Sequence, residues 1–301
     1  MPLSQVSLDS AEFHACIDQL WVYPLKSCAG ISLPEAVLTD KGLAWDRAWM
    51  VVDVAGEMVT QRELPRMALI QPALTPHALV LQAPQMVALS VSLYVPATVP
   101  VRVRVWDDEV PAFDMGDAAS AWLTACLGSG LGSLRLVRFD ERHVRQSSNK
   151  WTHGLPALNQ FSDGFPVLVT SMASLHELNT RLTAQGVAAV DMRRFRANVV
   201  LGDAPGYALL PHDEDRVGVM TVVGEGEPVQ LQPVKPCARC PIPNIDPDTA
   251  LAASAVGDTL QSYRQDARVK GGITFGMNAI TLSGVGQVLR VGQTVSANWT
   301  F

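Results

Sequence analysis

Residues 19–23, Gln-Leu-Trp-Val-Tyr, and residues 49–53, Trp-Met-Val-Val-Asp, decide how the chain is read. Each is a short apolar run rich in valine and aromatic side chains, the composition that suits a half-buried pleated strand. Each ends in turn chemistry, at Pro24 and at Asp53-Val54-Ala55-Gly56. Similar runs at 78–82, 88–94 and 101–106 are separated by prolines. Short strands at close spacing predict a barrel or sandwich for the first 110 residues or so.

Working outward, residues 117–127 (Asp-Ala-Ala-Ser-Ala-Trp-Leu-Thr-Ala-Cys-Leu) predict a helix whose apolar side includes Trp122 and Cys126. The Cys126 thiol reads as buried and inert. Strands are expected at 133–139, 166–170, 198–202, 217–223, 229–234, 278–283 and 287–291, and a helix near 259–265. Met172, Leu175, Leu178 and Leu182 form an apolar stripe for a helix over 172–182, with Ser171 as its N-cap. The alternative start is a capping box from Ser174 to Glu177. Either start leaves N–H groups free after a strand, an arrangement suited to phosphate. His176 reads as a surface residue. Residues 140–165 are polar and irregular. They form either a solvated connector or a site-lining loop in which Trp151 and His153 stand near Arg142, Arg145 and Lys150.

At 301 residues the chain has room for two domains. Apolar residues make up 48% and charged residues 17%, which excludes a disordered chain. The net charge of −6 carries no basic surplus, so a nucleic acid polymer is not an expected partner and any anion site has to be local. No run of 18 apolar residues appears, so no membrane helix is expected. The start, Met1-Pro2-Leu3-Ser4-Gln5, lacks a basic region followed by an apolar run. With five cysteines, an odd number, a cytoplasmic, reducing location is expected.

The sharpest local feature is Lys235-Pro-Cys237-Ala-Arg239-Cys240-Pro-Ile-Pro-Asn244. Four readings are open. Structural zinc needs four ligands, and no second pair stands near. A thioredoxin-like pair should begin a helix, which Pro241 and Pro243 interrupt. The pair could be structural thiols. It could also supply a thiolate to a soft metal or carry sulfur, since Lys235 and Arg239 provide the cationic setting that favours thiolates. The segment Pro211-His212-Asp213-Glu214-Asp215 reads as a solvated acidic turn. Cations recur at the ends of expected strands: Lys26 in Leu25-Lys26-Ser27-Cys28, Arg47 in Trp45-Asp46-Arg47-Ala48, and Arg193, Arg194 and Arg196 before Asn198. Guanidinium forks bind phosphate bidentately, and rim salt bridges are the other reading. Extended backbone would put Arg194 and Arg196 on one face, opposite Arg193, so that at least one points inward. The chain has no Walker loop, nucleophile elbow, dinucleotide fingerprint or His-Glu-x-x-His.

Six pieces then line up in order: Tyr-Pro-Leu-Lys-Ser-Cys-Ala-Gly at 23–30, Asp-Arg-Ala-Trp-Met at 46–50, Ala-Ser-Leu-His-Glu-Leu-Asn at 173–179, Arg-Phe-Arg-Ala-Asn at 194–198, Cys-Ala-Arg-Cys with Asp-Pro-Asp-Thr at 237–249, and Thr-Phe-Gly-Met-Asn at 274–278. Together they resemble the MOSC-domain proteins, in particular those of the amidoxime-reducing-component type. The resemblance implies an α+β, β-rich fold. An N-terminal β-barrel-like domain would cover 15–140, and a MOSC β-barrel with peripheral helices 141–301. It implies a molybdenum cofactor, a phosphate-tailed pterin dithiolene. Cys240 would be the metal ligand and the catalytic centre. Lys26, Ser27 and Arg47 would hold the cofactor from the first domain. Thr170, Ser171, Arg196 and Asn198 would contact its phosphate and pterin, Ala238 and Arg239 would contribute from the ligand loop, and Asn278 would close the site.

The implied reaction is two-electron reduction of N-hydroxylated compounds such as amidoximes, hydroxylamines and N-hydroxylated bases. Many bacterial relatives append a ferredoxin-like domain. Here no Cys-x4-Cys-x2-Cys run occurs, so the expected electron donor is a separate flavin or iron–sulfur reductase. Ala197 stands where many relatives have proline. The alternatives are a sulfur carrier using a persulfide on Cys240, and a non-catalytic cofactor-binding module.

Overall fold

The structure is a computed structural model and describes residues 13–93, 99–224 and 226–300. The expected readings of residues 1–5, of Tyr94 and of Phe301 lie outside the described residues.

The core of the molecule is a barrel. Its strands are β1 (Phe13–Val22), β12 (Val167–Ser171), β13 (Val199–Gly202), β14 (Met220–Val222), β15 (Val229–Ala238), β17 (Gly272–Ser283) and β19 (Thr294–Ala297). They pair in the order β12-β13-β1-β19-β14-β15-β17, and β17 pairs back to β12 through Val167 and Ala279, Leu168 and Asn278, and Val169 and Met277. Closure removes the exposed strand edges of this sheet. The alternation in β1 shows how the sequence specifies it. Phe13, Ala15 and Ile17 are buried, the register shifts between Ile17 and Gln19, and Leu20 and Val22 are buried beyond the shift. One bulge thus keeps the apolar set inward on both sides of it. These side chains meet Val167, Val169, Leu201, Leu231 and Val295 in the barrel interior. Each such side chain contributes about 1.5–3 kcal/mol of burial.

Three short strands attach outside the barrel: β2 (Ile31–Leu33), β3 (Glu35–Thr39) and β4 (Gly42–Leu43), with β18 (Val288–Arg290) beside β3. The helices α3 (Met172–Ala184) and α4 (Ala255–Gln261) cover another side. The α3 stripe of Leu175, Leu178 and Leu182 packs with Val256, Leu260, Phe195 and Phe275. Ser171 is the N-cap and accepts from the Ser174 N–H at 3.1 Å, so the helix begins at Met172 and not at a Ser174 capping box.

The second unit holds the sheet β5 (Trp49–Val52), β11 (Arg135–Phe139), β10 (Asp108–Asp114) and β9 (Val99–Val105), and a smaller sheet β6 (Gln71–Leu74), β7 (Ala78–Gln82) and β8 (Leu89–Ser92). Helix α1 (Asp117–Leu127) buries Trp122, Leu123 and Cys126 against them. The β-rich class with peripheral helices is what the sequence predicted.

Strand β1 nevertheless belongs to the barrel. It pairs with β13 and β19, more than 170 residues away, so the sheet crosses the expected division at residue 140. The pattern inside β1 says it is a strand but not where its partners are. Two expectations are corrected. The long strand β17 starts at Gly272, six residues before the expected start at 278, because its glycines hide it from a propensity reading. The acidic turn at 211–215 is not solvated: Asp213 is 2% exposed and Glu214 fully buried.

Candidate functional site

Strand β1 ends and β12 and β13 begin at one mouth of the barrel, and the segments before β13 and after β15 meet in one cleft with Asn278 of β17. Onto this mouth the second unit is fastened by backbone bonds. Arg47 N–H donates to the Tyr23 carbonyl at 2.9 Å, Lys26 N–H to Trp49 at 2.9 Å, and Phe161 N–H to Arg47 at 3.1 Å. The loops that meet there enclose a cleft of about 120 Å³. Loops at the end of a rigid scaffold are the usual place for a site.

Nine of the eleven expected residues line it: Lys26, Ser27, Arg47, Arg196, Asn198, Ala238, Arg239, Cys240 and Asn278. Thr170 and Ser171 do not. Both are fully buried. The Thr170 hydroxyl faces the Met192 sulfur at 3.3 Å, and the Ser171 hydroxyl donates to Glu214 at 2.8 Å. Ser174 donates to the same carboxyl at 2.7 Å. The two serine hydroxyls at the helix start expected to attract phosphate are therefore engaged from within, by a side chain of the turn read as solvated. Burial pushes the Glu214 carboxyl up to about 7, with the neighbouring charge of Asp215 adding to it.

The cleft backbone is strained where the cations stand. Ser27, Arg47 and Arg196 all adopt left-handed φ, at 65°, 51° and 58°. For non-glycine residues each costs on the order of 1–2 kcal/mol, and such outliers cluster at functional sites. The strain is held by a stack. The Arg47 and Arg196 guanidiniums lie 4.5 and 4.3 Å from the Tyr23 ring centre. Gly30 allows it, because a Cβ there would stand 2.5 Å from the Tyr23 ring. Asp46 accepts from the Tyr23 N–H at 2.8 Å and from Arg47 at 2.5 Å. Burial and the neighbouring Arg47 charge lower Arg196 to about 10. Its Nη1 donates to the Cys28 carbonyl, while its buried Nη2 has no partner. The 3-10 turn Met192–Arg194 replaces the extended backbone expected there, and only Arg196 of the three arginines lines the cleft. Arg193 pairs with Asp191 and Asp248, and Arg194 with Asp246.

Strand β15 carries the cysteine pair to the cleft, where both thiols are half-buried. Arg239 Nη1 donates to Cys237 Sγ at 3.0 Å and its Nη2 to the Phe195 carbonyl at 2.9 Å; its buried Nε lacks a partner. No group of three or more His, Cys, Asp or Glu stands together in a metal-binding cluster among the described residues, which disfavours the zinc reading. Cys28 and Cys126 are buried, and burial raises both thiols. Asn198 is used on both sides: its Oδ1 accepts from Arg47 at 3.2 Å and from Leu168 N–H at 3.1 Å, and its Nδ2 donates to the Trp21 carbonyl at 3.1 Å.

Sequence reasoning missed Thr60, Arg62 and residues 162–165, all of which line the cleft. Only the polar irregularity of 140–165 hinted at the last. Buried Arg145 pins that segment. Its guanidinium donates to Asn159 Oδ1 at 2.6 Å, the Gln160 carbonyl at 2.7 Å, the Ser162 carbonyl at 2.6 Å and Asp108 at 2.8 Å. A larger cavity, about 690 Å³, lies in the second unit among Leu89, Phe113, Met115 and Arg138, and no expected site residue lines it.

A soft sulfur donor, a lysine and a buried guanidinium N–H without a partner are what an anionic dithiolene with a phosphate tail requires, so the residues fit such a cofactor. The site thus lies in a cleft lined by both the closed barrel and the second β-rich unit. Residues 14–130 match the MOSC N-terminal beta barrel domain and residues 157–296 the MOSC domain. The chain is 35% identical to mitochondrial amidoxime-reducing component 1 of Mus musculus, over 82% of this chain and 71% of that protein. It is 35% identical to component 1 of Homo sapiens, over 83% and 72%, and 32% identical to component 2 of Rattus norvegicus, over 82% and 72%. The chain belongs to the MOSC-domain family, among the relatives of the amidoxime-reducing components. No helix among the described residues is long and apolar enough to cross a membrane.

Proposed function

We propose that this protein is a molybdenum-cofactor-dependent reductase of N-hydroxylated compounds, supplied with electrons by a separate redox protein. The observation that carries the reading is the meeting of Cys240 with Lys26 and with the unpartnered Nη2 of Arg196 in one cleft. The names of the relatives fix the substrate class of those proteins and support the same class here.

In this reading Cys240 is the protein ligand to molybdenum. When bound, the cofactor supplies the two-electron redox chemistry that converts an N–OH group, with two protons, to N–H and water. The chain's own residues do the binding and orienting. Lys26 and Arg196 neutralise anionic oxygens; removal from water makes each such bond stronger than it would be at a surface. Arg47 and Asn198 have most of their donors and acceptors engaged within the chain. Their part is to hold Arg196 in its left-handed conformation, Arg47 by donating to the Arg196 carbonyl at 3.0 Å. Arg239 bonds Cys237, which keeps the first thiol of the pair beside, and not at, the metal position. Asn278 lies in β17 opposite Lys235 and forms part of the floor.

The test is reduction of benzamidoxime with an artificial electron donor. Cys240→Ala is expected to abolish it, and Cys237→Ala to retain a measurable share. Activity that survives in Cys240→Ala would overturn the ligand assignment.

A further inference from the structure

Lys26 is 6% exposed, and its ammonium is committed at one end of the cleft. It donates to the Phe161 carbonyl at 2.7 Å and to the Asp163 carboxylate at 2.5 Å. Asp163 gathers more than this one partner. The Trp106 indole N–H donates to it at 3.2 Å, and Arg62 stands 4.0 Å away with its guanidinium 4.7 Å from the Trp106 ring centre. Lys26, Arg62 and Asp163 all line the cleft that holds Cys240. The carboxylate is delivered there by Ser162, whose carbonyl is fixed by buried Arg145. Two cations and an indole donor thus converge on one anionic group contributed by the chain itself.

That set of partners is the set a phosphate group would recruit: a buried ammonium, a guanidinium and a neutral N–H. Two anions in one small cleft repel at short range, and water around Asp163, whose side chain is 60% exposed, weakens that repulsion without removing it. We propose that Asp163 is a displaceable internal anion, which occupies the Lys26 and Arg62 end of the cleft and competes there with the phosphate group of an incoming ligand. The chain segment that carries it enters the cleft from a loop, and Gly164 follows it directly, so the side chain can swing without dragging a strand. Asp163 then sets how tightly the cleft holds a phosphate group, and the carboxylate keeps Lys26 charged and folded inward until one arrives. The proposal deepens the cofactor reading, and rests on it only for the identity of the phosphate carrier.

The test is titration of the purified full chain, made in a host unable to synthesise molybdopterin, with inorganic phosphate by calorimetry at low salt. Asp163→Asn keeps the shape and removes the charge. It is expected to tighten phosphate binding by about fivefold or more, since a neighbouring like charge is gone. Adding Lys26→Gln to that variant is expected to cancel the gain. Circular dichroism and a thermal melt report whether the variant folds, and Asp163→Ser serves as the second variant if the asparagine does not. Unchanged or weaker binding to a folded variant, including binding by neither protein, overturns the proposal.

A second arm uses protein from a cofactor-competent host and follows pterin release by fluorescence. Slower release from Asp163→Asn assigns the displaced carboxylate to the cofactor's phosphate, while unchanged release with tighter phosphate binding assigns it to a free anion. Molybdenum content, which tests the cofactor reading, is independent of the phosphate titration.

Discussion

Arg47 donates through Nη2 to the backbone carbonyl of Arg196 at 3.0 Å, across 149 residues of sequence. Both guanidiniums rest on one buried tyrosine ring, and both backbones are left-handed. The contact joins the second unit to the barrel at the point where the cleft needs its cations.

The stack makes Tyr23 the keystone of two like charges. Tyr23→Leu removes the ring that both arginines share and leaves a cavity in a buried place. Stability is expected to fall by about 2–4 kcal/mol. Urea denaturation followed by tryptophan fluorescence measures it, and a loss within error of zero would show that the stack is ornamental.

Gly276 stands in β17 with φ +77°, and a Cβ there would lie 2.5 Å from the Val169 carbonyl oxygen and 2.5 Å from the Thr170 methyl. The first of these is backbone of the neighbouring barrel strand and cannot swing away. Gly276→Ala is expected to cost about 2–4 kcal/mol through strain and overpacking. A thermal melt at neutral pH reads the effect, and an unchanged Tm would mean the barrel closes with a different local geometry.

Much of the local structure was legible in the sequence. Helix α1 spans the expected 117–127, β7 the expected 78–82, and α3 begins at the residue after its expected N-cap. Patterning works there because short-range periodicity decides it. Helix α4 runs Ala255–Gln261, several residues before the helix expected near 259–265, because Ser254 and Asp258 bond each other at its start. Of the cleft lining, Lys26, Arg47, Arg196 and Cys240 stand in distinctive clusters and were legible as candidates. Asp163 and Arg62 were not, because their importance lies in a meeting between loops 101 residues apart, which no local pattern encodes. Thr170 and Ser171, expected to contact the cofactor, do not line the cleft. The carboxyl that takes the Ser171 hydroxyl comes from Glu214, 43 residues on, and a run of His-Asp-Glu-Asp looks like surface until its burial is seen.

Glu214 gives the protein an unusual pH dependence. Its carboxyl is raised to about 7 in the folded chain, above its ordinary value of 4.5. The protonated form is therefore the one the fold prefers. Its contribution is fully present below about pH 4.5 and is lost as pH rises toward and through 7. Other carboxylates, such as Asp246 and Asp248, are lowered and act in the opposite sense at acid pH. Glu214→Gln is expected to flatten the part of the stability profile between about pH 5 and 8. Denaturation midpoints across that range check it, and an identical slope in the variant would remove Glu214 from the account.

Arg145 is 6% exposed and holds the loop that carries Ser162 and Asp163. Arg145→Met leaves buried carbonyls without their donor and is expected to destabilise by about 3 kcal/mol. Proteolysis should then cut within 140–165 more readily than in the parent protein. Equal resistance would show that the loop is held by other contacts.

The proposed function stands or falls on a molybdenum cofactor in the Cys240 cleft. Elemental analysis together with pterin fluorescence, on protein purified from a cofactor-competent host, tests it most directly. Molybdenum and pterin are expected in near-equal amounts approaching one per chain, with molybdenum lost from Cys240→Ala and both reduced in Arg196→Ala. Protein from such a host that contains neither would contradict it.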